Sequence, residues 1–222
     1  MNSGVAKSAK LRLKGQRMTE LERVLEMHKF EQETRTKGYQ LIAGIDEAGR
    51  GPLCGPVVAA ACILPENVFI QGLDDSKKLN ELKRERLYHE ITEKAICFGI
   101  GQASHVEIDE INILNATKLA MKRAVMQLSP QPDFLLIDAV KLTEIDLPQL
   151  PIIKGDALSF SIAAASILAK VTRDRLITEL SKDFPEYNFA KHKGYGTKEH
   201  YVAIEKHGLC SIHRRSFTKK YW

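Results

Sequence analysis

Asp46 and Glu47 close an extended apolar stretch at residues 39–46. Asp138 ends the apolar run 134–137, and Asp156 follows a weaker run at 150–153. In an open α/β sheet, ligands collect beyond the carboxyl ends of parallel strands. Four carboxylates from three separated segments could therefore converge on one spot. Such a cluster repels itself unless cations neutralise it. Oxygen donors without His or Cys select Mg²⁺ or Mn²⁺. Two such ions about 4 Å apart can activate a water and stabilise the leaving oxygen of a phosphodiester, with no covalent nucleophile. Taken singly, Asp138 and Asp156 read just as well as caps, turns or surface residues. Asp46 and Glu47 pose a further problem: neighbours on a regular strand point to opposite faces, so the strand must twist or end there for both to serve.

Smaller signals surround these acids. Gly49, Arg50, Gly51 and Pro52 suit close approach of backbone to a ligand with a guanidinium beside it, and equally suit a tight hairpin turn. Ser166, Lys170 and Arg173 are spaced four and three apart, so they share one side of a helix that could either bind phosphates or simply be solvated. Lys77 and Lys78 carry the same two meanings. Tyr195 stands between Gly194 and Gly196 in a basic setting, where it could stack on a sugar or base or anchor a loop. His192, His200, His207 and His213 include no HExxH pair, which argues against zinc.

The elements that must position these residues follow from periodicity and caps. Thr19 with Glu22 marks a helix within residues 17–36, ended by Gly38, and the first fifteen residues look flexible. Residues 39–46 and 56–64 read as a hairpin pair of strands. Residues 80–93 read as a helix and 95–103 as a strand; a further helix opens at Ser104 with Glu107 or at Asp109 and is stopped by Pro130. Residues 134–137 and 150–153 are buried strands. Residues 158–180 form a long helix whose first half is small and apolar enough to lie close on a sheet. Strands in a hairpin, then alternating with helices, specify an α/β layer with a mixed sheet. At 222 residues, 44% hydrophobic and 27% charged, the chain is an ordinary globular protein with one full core. Its net charge of +5 is uneven: residues 1–38 carry +4, residues 39–190 carry −5 and residues 191–222 carry +6. Basic flanks around an acidic centre suit a protein that grips a polyanion around a cation-binding cluster, or two solvated tails. Cys54, Cys62, Cys97 and Cys210 form no CxxC pair, so free thiols in a reducing cytoplasm are expected. No apolar run reaches the roughly 20 residues of a membrane span.

Read together, the motifs stop being independent. GIDEAGRGP (44–52), DSKKL (75–79), NATKLAM (115–121), KGD (154–156), AAASILAKVTRDR (163–175) and HKGYGTKEH (192–200) occur in order. Over roughly residues 39–217 the chain resembles ribonuclease HII of the bacterial type. The resemblance implies an RNase H-like fold: a five-stranded mixed sheet flanked by helices, with a C-terminal helical segment closing over the substrate. It implies a catalytic domain at 39–222 preceded by a basic helical extension at 1–38 that only some bacterial members carry. It places Asp46, Glu47, Asp138 and Asp156 as catalytic ligands of two Mn²⁺ or Mg²⁺ ions. Gly49, Arg50 and Gly51 match the loop that senses the 2′-hydroxyl at an RNA–DNA junction. Tyr195 matches the tyrosine that stacks there, and Lys77, Ser166, Lys170 and Arg173 fall where the family contacts phosphates. The implied substrates are RNA–DNA hybrids and DNA duplexes containing single ribonucleotides, cut on the 5′ side of a ribonucleotide to leave a 3′-hydroxyl and a 5′-phosphate. A cytoplasmic monomer is expected. The alternatives are a ribonuclease HIII-like hybrid nuclease, against which Arg50 and the short extension speak, and a nonenzymatic nucleic-acid-binding module. The extension is expected to add nonspecific phosphate contacts.

Overall fold

A computed structural model describes residues 18–221, and the first fifteen residues, expected to be flexible, lie outside that range. The strands are β1 (Ile42–Ala48), β2 (Val57–Ile63), β3 (Cys97–Ala103), β4 (Phe134–Asp138) and β5 (Gln149–Ile152). They form one sheet in the order β3-β2-β1-β4-β5. β1–β2 and β2–β3 are antiparallel, and β1–β4 and β4–β5 are parallel. This is the five-stranded mixed sheet that the resemblance implies. The helices are α1 (Glu20–Met27), α2 (Lys29–Arg35), α3 (Glu81–Lys94), α4 (His105–Met126), α5 (Gly155–Leu158), α6 (Phe160–Leu180), α7 (Phe189–His192) and α8 (Lys198–His207).

Local chemistry sets most of these boundaries. Thr19 and Glu22 cap α1 reciprocally, Ser104 and Glu107 do the same for α4, and the Asn80 side chain accepts the Lys83 amide at the start of α3. Two boundaries differ from expectation. The single helix expected within 17–36 is broken at His28 into α1 and α2. The long helix begins at Phe160, with Ser159 as its N-cap, and residues 155–158 form a separate turn that carries Asp156. That turn is opened by Lys154 in the left-handed conformation, at φ 60°.

The sheet is sandwiched. Every residue of β2 is buried, because its two faces meet different helices. Ala60 and Cys62 share a cluster with α6, whereas Ala59, Ala61 and Ile63 share one with α4. The small residues of α6 let its first turn lie on the sheet itself. A Cβ at Gly44 would stand 2.1 Å from the Ser161 carbonyl carbon, so only glycine fits beneath the helix there. A third cluster, containing Leu53, Ile177, Tyr187, Phe189 and Ile204, seats the C-terminal segment against the loop between β1 and β2.

The N-terminal helices also enter the core. Val24 and Met27 are buried in the cluster that contains Ala163 and Ile167. His28 stacks on Phe160 with ring centroids 4.2 Å apart. Glu31 caps the start of α6: its Oε1 accepts from Ser159 Oγ at 2.6 Å, Ser161 Oγ at 2.6 Å and the Ser161 amide at 2.9 Å. Cutting the chain at residue 38 would strip core side chains as well as charge. Glu31→Ala removes the acceptor of three buried donors and should cost about 2–3 kcal/mol. Urea unfolding would read this as a lower midpoint with an unchanged slope, and an unchanged midpoint would show that the extension is not coupled to the core.

Candidate active site

The parallel ladder between β1 and β4 has its last pair at Ile45 and Ile137. Beyond it the two strands part, and the acids stand at that opening. Asp46 and Glu47 remain paired only to β2, opposite Ala60 and Ala59, while Asp138 is the last residue of β4. This resolves the difficulty of two adjacent acids. Asp46 (3% exposed) turns inward and Glu47 lies half-buried, yet both border one cleft of about 370 Å³ with Asp138. Asp46 Oδ1 accepts the Glu47 amide at 2.7 Å, which folds the pair together. Ser166, on α6, shares a hydrogen bond with the Ser76 hydroxyl at 2.9 Å and lies close enough to Asp46 to favour its ionised form. Asp138 Oδ1 accepts the Gly155 amide at 2.7 Å, tying β4 to the turn that carries Asp156.

Asp156 does not border this cleft, although its charge acts on Asp138. It is buried, and its Oδ2 accepts from Lys77 Nζ at 3.1 Å. Among the described residues, no three His, Cys, Asp or Glu side chains form a ready-made metal cage. The acids nevertheless fit hard cations. The donors are all carboxylate oxygens, Glu47 Oε2 is buried without a hydrogen-bond partner, and neither histidine nor cysteine borders the cleft.

The remaining residues divide into those that face the cleft and those that lie behind it. Gly49, Arg50, Gly51, Lys77, Ser166, Lys170 and Tyr195 all line it. Arg50 pairs with Glu47 at 3.2 Å. Lys170 pairs with Asp174 at 2.8 Å, with Nζ 6.0 Å from the Tyr195 ring centre. Tyr195, 43% exposed, is fixed by its backbone: its amide donates to His192 O and its carbonyl accepts from Thr197 and the His200 ring. Arg173 does not join the expected phosphate-binding stripe. It is fully buried, and its guanidinium donates to the carbonyls of Pro56, Lys193 and Cys54. The stripe fails because α6 is enclosed around most of its circumference by the sheet, α3 and the C-terminal segment. One residue escaped the sequence reading altogether. Arg214, fully buried, donates to the carbonyls of Gly49, Arg50 and Gly55. In the sequence it looks like part of a basic tail. The apolar Ile212 and Phe217 on either side were the available sign that this stretch turns inward.

Comparison with known proteins is consistent along the chain. The family model described as Ribonuclease HII matches residues 43–220. The ribonuclease HII of Acetivibrio thermocellus is 63% identical over 202 residues, covering 91% of this chain and 79% of that protein. Among solved structures, the ribonuclease H2 of Pyrococcus horikoshii superposes with a TM-score of 0.68 at 27% identity, covering 82% of this chain and 97% of that one. The ribonuclease HII of Archaeoglobus fulgidus, solved as a complex with PCNA, gives a TM-score of 0.66 at 28% identity over 79% of this chain and 94% of that one.

Gathering acids in a cleft perturbs them. Burial, with Glu47 and Asp138 adding repulsion, pushes Asp46 well above the ordinary carboxylate range. Burial also raises Glu47 against the opposing pull of Arg50, and it raises Asp138 against the Gly155 amide. Partial desolvation works against the Lys77 charge, but Asp156, Asp46 and Asp75 outweigh it and hold the ammonium above its usual value. The folded protein thus binds more protons at these carboxylates than the unfolded chain does. Their contribution to stability is greatest below the ordinary carboxylate range and declines as pH rises through the raised values. In EDTA, the melting temperature of Asp46→Asn should fall less between pH 4 and pH 8 than that of the wild type. Mn²⁺ should flatten the wild-type profile, and parallel profiles in EDTA would contradict the electrostatic account.

Proposed function

We propose, from the premise that this chain belongs to the ribonuclease HII family and hydrolyses RNA paired with DNA, that the scissile phosphodiester sits in the cleft of Asp46, Glu47 and Asp138. Cutting then falls on the 5′ side of a ribonucleotide and leaves a 3′-hydroxyl and a 5′-phosphate. The observation that carries this reading is one cleft bordered by three carboxylates, the 49–51 loop, Lys170 and Tyr195. Long RNA–DNA hybrids and DNA duplexes with a single embedded ribonucleotide are both proposed substrates. The four cysteines are free thiols, in keeping with a reducing compartment, and the proposed working form is a cytoplasmic monomer.

Family members depend on divalent metal, and Asp46, Glu47, Asp138 and Asp156 would hold two Mn²⁺ or Mg²⁺ ions. When bound, such ions supply an activated water and charge to stabilise the leaving 3′-oxygen. The protein's own part is positioning. Ser166 holds Asp46, the Gly155 amide holds Asp138, and Lys77 balances Asp156 while its exposed stem leaves the ammonium within reach of a backbone phosphate. Lys170 offers a second cation on the cleft wall, and the half-exposed Tyr195 ring a stacking surface beside the glycine loop. The amides of Gly49, Arg50 and Gly51 would donate to the 2′-hydroxyl oxygen, a contact that distinguishes ribose from deoxyribose. Arg173 is left out of the proposed phosphate contacts, because it is fully buried with its guanidinium turned onto the carbonyls of Pro56, Lys193 and Cys54.

A DNA duplex with one embedded ribonucleotide, titrated with Mg²⁺ or Mn²⁺, tests the reading. Cleavage 5′ of the ribonucleotide is expected. Cutting of long RNA tracts alone would favour an HIII-like activity, and binding without cutting at any metal level would favour a binding module. Asp138→Asn should keep the wild-type circular dichroism and lose turnover by at least about a thousandfold. A folded, fully active variant would contradict the assignment.

A further inference from the structure

The loop between β1 and β2 is held by its carbonyls. Arg214 Nη2 donates to Gly49 O at 2.6 Å, Nη1 to Arg50 O at 2.9 Å and Nε to Gly55 O at 2.9 Å. Arg173 takes the Cys54 and Pro56 carbonyls from the α6 side. It also lies directly beneath Gly49, where a Cβ would meet its Nε at 2.0 Å. Among the described residues, the amides of Gly49, Arg50 and Gly51 donate to no protein acceptor, and all three residues border the cleft. The loop is therefore polarised, with its oxygens turned into the protein and its free donors on the cleft side.

Arg214 is itself braced. Its amide donates to Leu53 O at 2.8 Å, its carbonyl accepts Thr218 Oγ1 at 2.8 Å, and its guanidinium lies 5.1 Å from the Phe217 ring centre. The next two residues are anchored on α4, where Asp109 accepts the Arg215 and Ser216 amides. Among the described residues, neither Arg173 nor Arg214 has a carboxylate at ion-pair distance. Burying a guanidinium without a counter-charge is expensive, and an apolar plug would fill the same space at lower cost. What an apolar plug cannot do is attract three carbonyl oxygens to one side of a loop and leave positive charge beneath it.

We propose that Arg214 is the positioning residue for ribose recognition: by drawing the 49–55 carbonyls inward, it presents the amides of Gly49, Arg50 and Gly51 to an acceptor oxygen of the ribose in the cleft. This rests on the function proposed above, and it adds a residue that reaches the loop from the far end of the chain without touching substrate.

The test compares two duplexes, one with a single embedded ribonucleotide and one wholly of DNA, by fluorescence anisotropy in Ca²⁺. Wild type, Arg214→Lys and Arg214→Gln are each checked for folding by circular dichroism and for Mn²⁺ affinity by calorimetry. Arg214→Lys keeps the charge but not the planar fork whose three nitrogens reach three carbonyls. It is expected to bind Mn²⁺ as wild type does, while its preference for the ribonucleotide duplex falls at least tenfold. A folded Arg214→Lys or Arg214→Gln with an unchanged preference would overturn the proposal. Should both variants fail to fold, ¹⁵N spectra of the wild type decide. The Gly49 and Gly51 amides should shift with the ribonucleotide duplex and not with DNA, and the Arg214 guanidinium protons should be protected from exchange. Equal shifts with both duplexes, or unprotected guanidinium protons, would overturn it. A wild type with no preference at all would instead remove the ribonucleotide reading on which the proposal stands.

Discussion

Like charges crowded at one end of a buried sheet are what the rest of this molecule accommodates. Asp46, Glu47 and Asp138 are brought to one cleft by strands whose pairing stops one residue short of the acids. Each acid is desolvated enough to resist ionisation, and each is given some compensation: an amide for Asp138, a hydroxyl for Asp46 and a guanidinium for Glu47. Glu47 Oε2 is left over without a partner. Such an arrangement costs stability on its own and gains it when cations arrive, so ligand binding and folding are linked through the same oxygens.

The scaffold is built to keep that cluster in place. α6 lies so close on β1 that Gly44 admits no side chain, and it brings Ser166 to Asp46 and Lys170 to the cleft wall. Its N-terminus is capped by Glu31 from the N-terminal helices. On the opposite side, the C-terminal segment holds the glycine loop by its carbonyls. Both ends of the chain therefore brace the region between them, and neither behaves as a solvated appendage in the part described.

Much of this was legible in the residues. Apolar runs bounded by glycine and proline located the strands, Ser104 with Glu107 and Asn80 marked helix starts, and acids at strand ends marked the cleft. What failed to show was anything decided by tertiary enclosure. The spacing of Ser166, Lys170 and Arg173 is that of a helix face whether the face is wet or dry, so the burial of Arg173 has no local signature. Arg214 lies 159 residues from Gly55, its partner, and no periodicity connects positions so distant. The break at His28 is equally silent: residues around it favour helix, and the contact found at the break, the ring of His28 on Phe160, is made with a distant part of the chain. The short turn holding Asp156 has no periodicity of its own: Lys154 in the left-handed conformation opens it, and one extended residue, Ser159, separates it from the long helix.

Everything else turns on whether these carboxylates form one site for hard cations. Anomalous diffraction from crystals grown with Mn²⁺ tests it most directly. Two manganese peaks are expected, bounded by Asp46, Glu47, Asp138 and Asp156, with Lys77 drawn away from Asp156. Peaks elsewhere on the surface, with Lys77 still paired to Asp156, would contradict it.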